Sequence, residues 1–280
     1  MEQTQHMEPE KLTIQSIPQK EVEDACFHAL GLIGRNCEYL DQHLARVGAD
    51  KQSRQAVTDI SAATARLERT LGEVMAVLDY LRADETPPLH PLDLCELLQQ
   101  VAAQADMVRA QLGVELTLDY GGWTACRVQA DREDAELLCL HLLSNALRAC
   151  SAGGRVQILL RRSEAFWQLT VLDNGCGLPD SEDDAWLENR RCFLGGAQLG
   201  LLLCRECCRR MGWGLRVERA SEKGTQAVVT IPLCSDRASA EPSVELHAGA
   251  DLARAQRQYQ LRAMLVRELR TMPERGDPDE

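Results

Sequence analysis

Two stretches decide the fold, His141-Leu-Leu-Ser-Asn145-Ala-Leu-Arg148 and Asp173-Asn174-Gly175-Cys176-Gly177. The first reads as helix. The second closes an apolar strand, Trp167-Gln-Leu-Thr-Val-Leu-Asp173. A carboxamide oxygen can ligate a hard cation such as magnesium. A carboxylate held at a strand end can accept a hydrogen bond from an exocyclic amine. Glycines beside it let backbone approach a ligand closely. An amide on a helix facing an acid and two glycines is therefore a nucleotide-site arrangement, and the rest of the chain is read outward from it.

Upstream, Asp131-Arg-Glu-Asp134 starts the amide-bearing helix, with Asp131 as cap and acids in its first turn. That helix is expected to end near Cys150. Gly153-Gly154 turns into the strand Arg155-Val-Gln-Ile-Leu-Leu. Residues 92 to about 112 read as helix, and Val114-Glu-Leu-Thr-Leu alternates like a strand. Downstream, the acidic loop Asp180-Ser-Glu-Asp-Asp184 leads to Arg190 and Arg191. A helix then runs from Leu199 to Met211, and strands follow from Leu215 and from Thr225 to Pro232. Helices and strands do not strictly alternate. The expected class is α+β, with one mixed sheet covered by one helical layer.

The first third differs. Val22, Cys26, Ala29, Ile33, Cys37, Leu40, Leu44 and Val47 recur at steps of three and four, the apolar stripe of a helix. Gly48-Ala-Asp50 interrupts it. Val57, Ile60, Thr64, Leu67, Leu71, Val74, Leu78 and Leu81 form a second stripe, the seam of a coiled coil or bundle. Two such helices make an antiparallel hairpin. Its narrow stripes are covered either by a second hairpin, giving a dimeric four-helix bundle, or by the rest of the same chain. The homodimer is the expectation. Pro87, Pro88 and Pro91 mark a linker over residues 84–92.

Composition bounds the function. The chain has 280 residues, 45% of them apolar but only 4% aromatic, so its core is aliphatic. A net charge of −12 argues against nucleic acid or an anionic membrane as general partner. Twelve cysteines sit in apolar runs such as Leu137-Leu-Cys139-Leu rather than in short loops. No apolar leader opens the chain. Reduced thiols and a cytoplasmic location are expected. No apolar run reaches the ~18 residues that span a bilayer. A membrane span and a sensor domain are not expected within this polypeptide.

The order of these motifs resembles the transmitter core of a bacterial sensor histidine kinase, over roughly residues 21 to 234. The hairpin resembles its dimerisation and phosphotransfer domain, and residues 93–234 its gyrase-type ATP-binding domain. The expected division is a polar tail (1–18), hairpin (19–83), linker (84–92), ATP-binding domain (93–234), and a flexible segment with a basic C-terminal helix (235–280). His141 to Arg148 resembles the asparagine box, and Asp173 to Gly177 the first glycine box. Phe193-Leu-Gly-Gly196-Ala-Gln-Leu199-Gly200-Leu201 resembles the phenylalanine and second glycine boxes. Gly224-Thr225-Gln-Ala227 with Ile231-Pro232 resembles the closing strand.

The resemblance implies ATP and Mg²⁺ as cofactors. Asn145 would ligate the metal, with a capping or core amide as the plainer alternative. Arg148 would screen phosphate oxygens, unless it is an exposed surface arginine. Asp173 would accept from the adenine amine, unless it is a solvated turn residue. Gly175 and Gly177 would leave room for the base, and Thr225 would support it through a water. Residues 178–198 would form a lid, with Gly195, Gly196, Leu199 and Gly200 near the phosphates at the start of a helix. Arg190 and Arg191 are lid cations or a solvated pair. Implied partners are a response regulator receiver domain, a second copy, and a separate input protein.

The phosphoacceptor implied is His28, about fifty residues before Val77-Leu-Asp-Tyr-Leu-Arg82. His43 is a second candidate. The family's acid after that histidine is Ala29 here, and its proline is Ile33. Asp24, one turn earlier, is the available substitute. His141 stands where kinases carry an asparagine and gyrase-type ATPases a general base. It positions a water or nucleophile, or is a packing variant. Gln198 replaces a lid glycine. These departures keep alternatives open: an ATP-binding scaffold, or a phosphotransfer protein of the same fold. Cys204-Arg-Glu-Cys207-Cys208 reads as small core side chains rather than a zinc site. The basic helix near residues 251–272 packs on the domain or docks an acidic partner.

Overall fold

The computed structural model describes residues 19–82, 88–178, 199–221 and 223–233. The polar tail, Arg190, Arg191, Phe193, Gly195, Gly196, Gln198 and the C-terminal helix lie outside these residues.

The hairpin forms as α1 (Gln19–Arg46) and α2 (Lys51–Arg82). Gly48 adopts φ 65°, the left-handed conformation that ends a helix at little cost for glycine. Asp50 then caps α2: its Oδ1 accepts from the Ser53 amide at 2.9 Å, and its Oδ2 from the Ser53 hydroxyl at 2.7 Å. The helices pack on each other. Much of the expected seam still faces outward in the single chain, including Ile33, Leu40, Ile60 and Leu67.

The remaining elements build a sandwich. They are β1 (His90–Asp93), α3 (Leu94–Leu112), β2 (Glu115–Asp119), β3 (Arg127–Ala130), α4 (Arg132–Ala149), β4 (Arg155–Arg162), β5 (Phe166–Asp173), α5 (Leu199–Met211), β6 (Gly214–Arg219) and β7 (Thr225–Pro232). The five-stranded sheet has the order β2-β4-β5-β7-β6. Only β2 and β4 pair in parallel. Helices α3, α4 and α5 neighbour one another and cover it. Leu98, Leu138, Leu143, Ile158, Leu169 and Ile231 meet between the layers. Each buried aliphatic of this size contributes about 1.5–3 kcal/mol.

Two elements depart from expectation. Strand β1 overlaps the last three residues of the expected linker (84–92) and pairs antiparallel with β3, a strand that sequence patterning does not reveal. Both runs are four residues long, too short to show a period of two. Asp93 explains why they form: its Oδ1 accepts from the amides of Cys95 and Cys126, capping α3 and tying the two strands together. The Asp131 cap holds as expected, with Oδ1 2.8 Å from the Asp134 amide. Cys204, Cys207 and Cys208 lie in the hydrophobic core. Among the described residues, no helix is long and apolar enough to cross a membrane.

Candidate functional site

His141, Asn145 and Ala149 recur every four residues, so they line one stripe of α4. The two ends of that stripe meet different partners.

At the Ala149 end lies the glycine-rich turn after β5. The Cys176 amide donates to the Ala149 carbonyl at 3.0 Å. A Cβ on Gly175 would sit 2.3 Å from that carbonyl oxygen, so only glycine fits. On the other side, Gly224 precedes β7 with φ 97°, and a Cβ there would sit 2.0 Å from the Asp173 carbonyl oxygen. Gly177 adopts φ 75° next to the Gly224 carbonyl. The turn is thus pressed between the end of α4 and the start of β7, which fixes where Asp173 points.

Asp173 is buried, and its oxygens are unequal. Oδ1 accepts from the Gly175 amide at 2.9 Å and the Thr225 amide at 3.2 Å. Oδ2 has no hydrogen-bond partner among the described residues and is the acceptor left for a ligand. Burial raises the carboxyl above its ordinary 3.8, and the two amides temper the rise. Thr225 is half-buried beside it.

At the other end, the site meets the hairpin. His141 is fully buried. Burial, and then the charge of Arg69, pulls its imidazole down to about 3, so it is neutral. Its Nδ1 lies 3.7 Å from Glu73 Oε1. That carboxylate favours imidazolium, but Arg69 Nε already donates to it at 2.7 Å, so desolvation prevails. Arg69 also reaches Asn145, with Nη2 3.4 Å from Oδ1. Gly200, in the first turn of α5, closes the cluster. A Cβ there would stand 3.1 Å from His141 Nδ1, 3.4 Å from Glu73 Oε1 and 3.5 Å from Arg69 Nη2.

The structure brings together Asp173, Gly175, Gly177 and Thr225 at one end, and His141, Asn145 and Gly200 at the other, joined by α4. Leu199 opens α5 next to Gly200. Arg148 is not a surface arginine: it is buried. His28 is exposed on α1, away from these contacts. Gly196 lies outside the described residues.

Sequence reasoning passed over Arg69 and Glu73, although both are buried against the site. Their i,i+4 spacing was visible, but between seam positions Leu67, Leu71 and Val74 such a pair reads as solvated helix face. Tyr80, two turns further along α2, was also missed. Its hydroxyl meets Asp134 Oδ1 at 2.7 Å, and Arg210 donates from Nε to Asp134 Oδ2 at 3.1 Å. The Arg210 guanidinium carbon lies 5.0 Å from the Tyr80 ring centroid. Only the fold brings these three segments together.

The donor set suits a magnesium nucleotide. It offers one neutral amide oxygen, one unengaged carboxylate oxygen, and a turn where a side chain would collide. Residues 130–235 match the family described as histidine kinase-, DNA gyrase B-, and HSP90-like ATPase. The chain is 28% identical over 195 residues to the alginate biosynthesis sensor protein KinB of Pseudomonas aeruginosa, covering 67% of this chain and 32% of that protein. It is 28% identical over 209 residues to the sensor histidine kinase Hik2 of Thermosynechococcus vestitus, covering 68% of this chain and 52% of that one. The chain therefore spans about a third to a half of these curated relatives. Its fold is similar to that of the histidine kinase ThkA, solved in complex with the response regulator protein TrrA. The TM-score is 0.54 at 20% identity, over 78% of this chain and 62% of that one. Residues 130–235 thus match the histidine kinase-, DNA gyrase B-, and HSP90-like ATPase family, and with the helical hairpin ahead of them the chain is similar in layout to a sensor histidine kinase transmitter core.

Proposed function

We propose that this chain binds Mg-ATP, transfers the γ-phosphoryl group to His28, and passes it to an aspartate of a response regulator receiver domain. Asn145 is the metal ligand in this reading. Asp173 Oδ2 accepts from the adenine amine, Gly175 and Gly177 make room for the ring, and Thr225 supports it. His141, neutral and buried, positions rather than carries charge. Arg148, Leu199 and Gly200 serve the phosphates, and Gly196 is assigned with them from the sequence alone. Catalysis is then mostly positioning and charge neutralisation.

The observation that carries the reading is the buried Asp173 carboxylate beside the glycine turn: Oδ1 is held by two backbone amides, and Oδ2 has no hydrogen-bond partner among the described residues. Arg69 lies about 18 residues, or about 27 Å, from the hairpin turn, and so does His28 along the antiparallel α1. Arg69, which meets Asn145, and His28 therefore stand at the same height of the hairpin, which supports His28 as the acceptor. An accessible imidazole is what in-line attack on phosphorus requires. The outward-facing seam residues Ile33, Leu40, Ile60 and Leu67 support a homodimer through a four-helix bundle.

Incubation with γ-labelled ATP and Mg²⁺ tests this. Acid-labile, alkali-stable label that disappears in His28→Gln is expected. Label that persists in that variant excludes His28. A second reading, an ATP-binding scaffold without transfer, is favoured by Ala29 where an acid would orient the imidazole. Nucleotide binding without label would select it.

A further inference from the structure

A buried guanidinium is costly unless its charge is matched. The Arg69 side chain is 8% exposed and the Glu73 side chain 5%, and they pair at 2.7 Å on successive turns of α2. Both reach into the joint with α4 and α5, where Arg69 Nη2 donates to the oxygen of Asn145. The Glu73 carboxylate lies within 3.7 Å of His141 on the same stripe. A positive group thus sits beside the amide oxygen that a cation would use.

We propose that α2 acts as an internal plug in which the Arg69 guanidinium stands in for the divalent cation at Asn145. Docking of the hairpin and binding of Mg²⁺ at this amide then exclude each other. The inference rests on the Mg-nucleotide reading of this site and adds its regulation.

The geometry supports exclusion rather than coexistence. Mg²⁺ binds oxygen at about 2.0–2.1 Å and keeps an octahedral shell of further oxygens and waters around it. A guanidinium nitrogen 3.4 Å from Asn145 Oδ1 occupies the space of that shell and carries the same sign of charge. Glu73 fixes the plug by holding Arg69 and balancing it in the dry joint. Gly200 permits the close packing, since a Cβ there would press on His141 Nδ1 at 3.1 Å and touch Glu73 and Arg69. When α2 leaves, Arg69 and Glu73 regain water, and the Asn145 oxygen is released to the metal. By linkage, the metal site favours the undocked hairpin by the same factor that docking disfavours the metal. A signal that bends or rotates the hairpin would then act directly on nucleotide loading.

The test is the Mg²⁺ dependence of binding of a non-hydrolysable ATP analogue to the full chain, by calorimetry, for wild type and Arg69→Gln. The half-saturating Mg²⁺ concentration is expected to fall about tenfold in the variant, which is about 1.4 kcal/mol of docking removed. Affinity for the analogue in EDTA is expected to stay within about twofold, since the metal alone competes with Arg69. An unchanged midpoint overturns the inference. So does a raised one, which would make Arg69 a helper of phosphate binding. Should Arg69→Gln fail to fold because Glu73 is left buried, Arg69→Gln/Glu73→Gln removes both charges together and is read the same way. If neither wild type nor variant binds the analogue at saturating Mg²⁺, the nucleotide site itself is refuted rather than its plug.

Discussion

The Tyr80 hydroxyl donates to Asp134 Oδ1 at 2.7 Å, a bond that crosses from the hairpin to the first turn of α4. Asp134 is fully buried and also receives Arg210 Nε, while the Arg210 guanidinium lies over the Tyr80 ring. Burial, Cys207 and Asp134 raise the phenol far above its ordinary 10, so it stays a donor. Tyr80 and Glu73 are seven residues apart, on one face of α2. The joint therefore has two polar clamps, one at the site and one two turns away.

Removing the distant clamp gives the first prediction. Tyr80→Phe keeps the ring under Arg210 and deletes only the hydroxyl. Loss of one buried hydrogen bond to a charged acceptor costs about 1.5–3 kcal/mol. The cost falls on the docked arrangement. Tyr80→Phe is expected to lower the half-saturating Mg²⁺ concentration in the same direction as Arg69→Gln, without touching the site. A midpoint identical to wild type would show that the clamp does not hold the plug.

The glycine turn gives the second. Gly224→Ala would bring a Cβ within 2.0 Å of the Asp173 carbonyl oxygen, at a backbone φ of 97°. No small shift resolves that, and a loss above about 3 kcal/mol in urea unfolding is expected. Gly212→Ala is the control: its φ of 68° is also left-handed, but nothing lies within 4 Å of the added carbon. Its cost is the local conformational penalty of about 1–2 kcal/mol. Equal losses in the two variants would mean that the contact with Asp173 is relieved by movement of β7.

Much of this was legible in the sequence. The helices α4 and α5 and strands β5 and β7 follow from period and caps, because each is long enough to repeat its pattern. Asp173 and its glycines were legible because a turn pinned between two backbones tolerates no other residue there. The short pair β1 and β3 was not, since four residues cannot display alternation. Arg69, Glu73, Tyr80, Asp134 and Arg210 were illegible for another reason. Each is a polar residue on a helix, and only the packing of α2, α4 and α5 on one another brings these residues together. The burial of Arg148 was not legible either.

The asymmetry of Asp173 gives the third prediction. Oδ1 is committed to two backbone amides, and Oδ2, without a hydrogen-bond partner among the described residues, is the acceptor proposed for the adenine amine. A carboxamide in its place would offer one acceptor oxygen, so either the amides or the adenine amine meets an NH₂ group. Asp173→Asn is expected to weaken ATP binding about ten- to a hundredfold with the fold intact, from one mismatched pair costing about 1–3 kcal/mol. The pH dependence follows the raised carboxyl. The ligand amine needs the ionised acceptor, so wild-type affinity falls as pH drops through that raised value, earlier than for an ordinary carboxylate. The variant lacks this limb. Affinity for ATP that is unchanged in Asp173→Asn would remove the acid from the adenine site.

His141 gives the last prediction, on stability rather than binding. Its imidazole titrates near 6.5 in the unfolded chain and near 3 in the buried site, because desolvation and the charge of Arg69 disfavour the imidazolium. Glu73 faces it from α2 but is neutralised by its 2.7 Å bond from Arg69. Between those values the unfolded chain holds a proton that the folded chain refuses. Stability is therefore complete above pH 6.5 and declines as pH falls toward 3, with a limiting slope of about 1.4 kcal/mol per pH unit for one proton. Other groups titrate in the same range, so the informative quantity is a difference. In urea unfolding at pH 7, 6, 5 and 4, the stability of wild type minus that of His141→Gln is expected to shrink steadily on acidification, because glutamine takes up no proton. At neutral pH the variant is the less stable, since the imidazole fills a packed space. By pH 4 much of that gap should have closed. A gap that stays constant from pH 7 to 4 would mean that the imidazole is protonated in the folded protein, with the Glu73 carboxylate rather than Arg69 setting its charge.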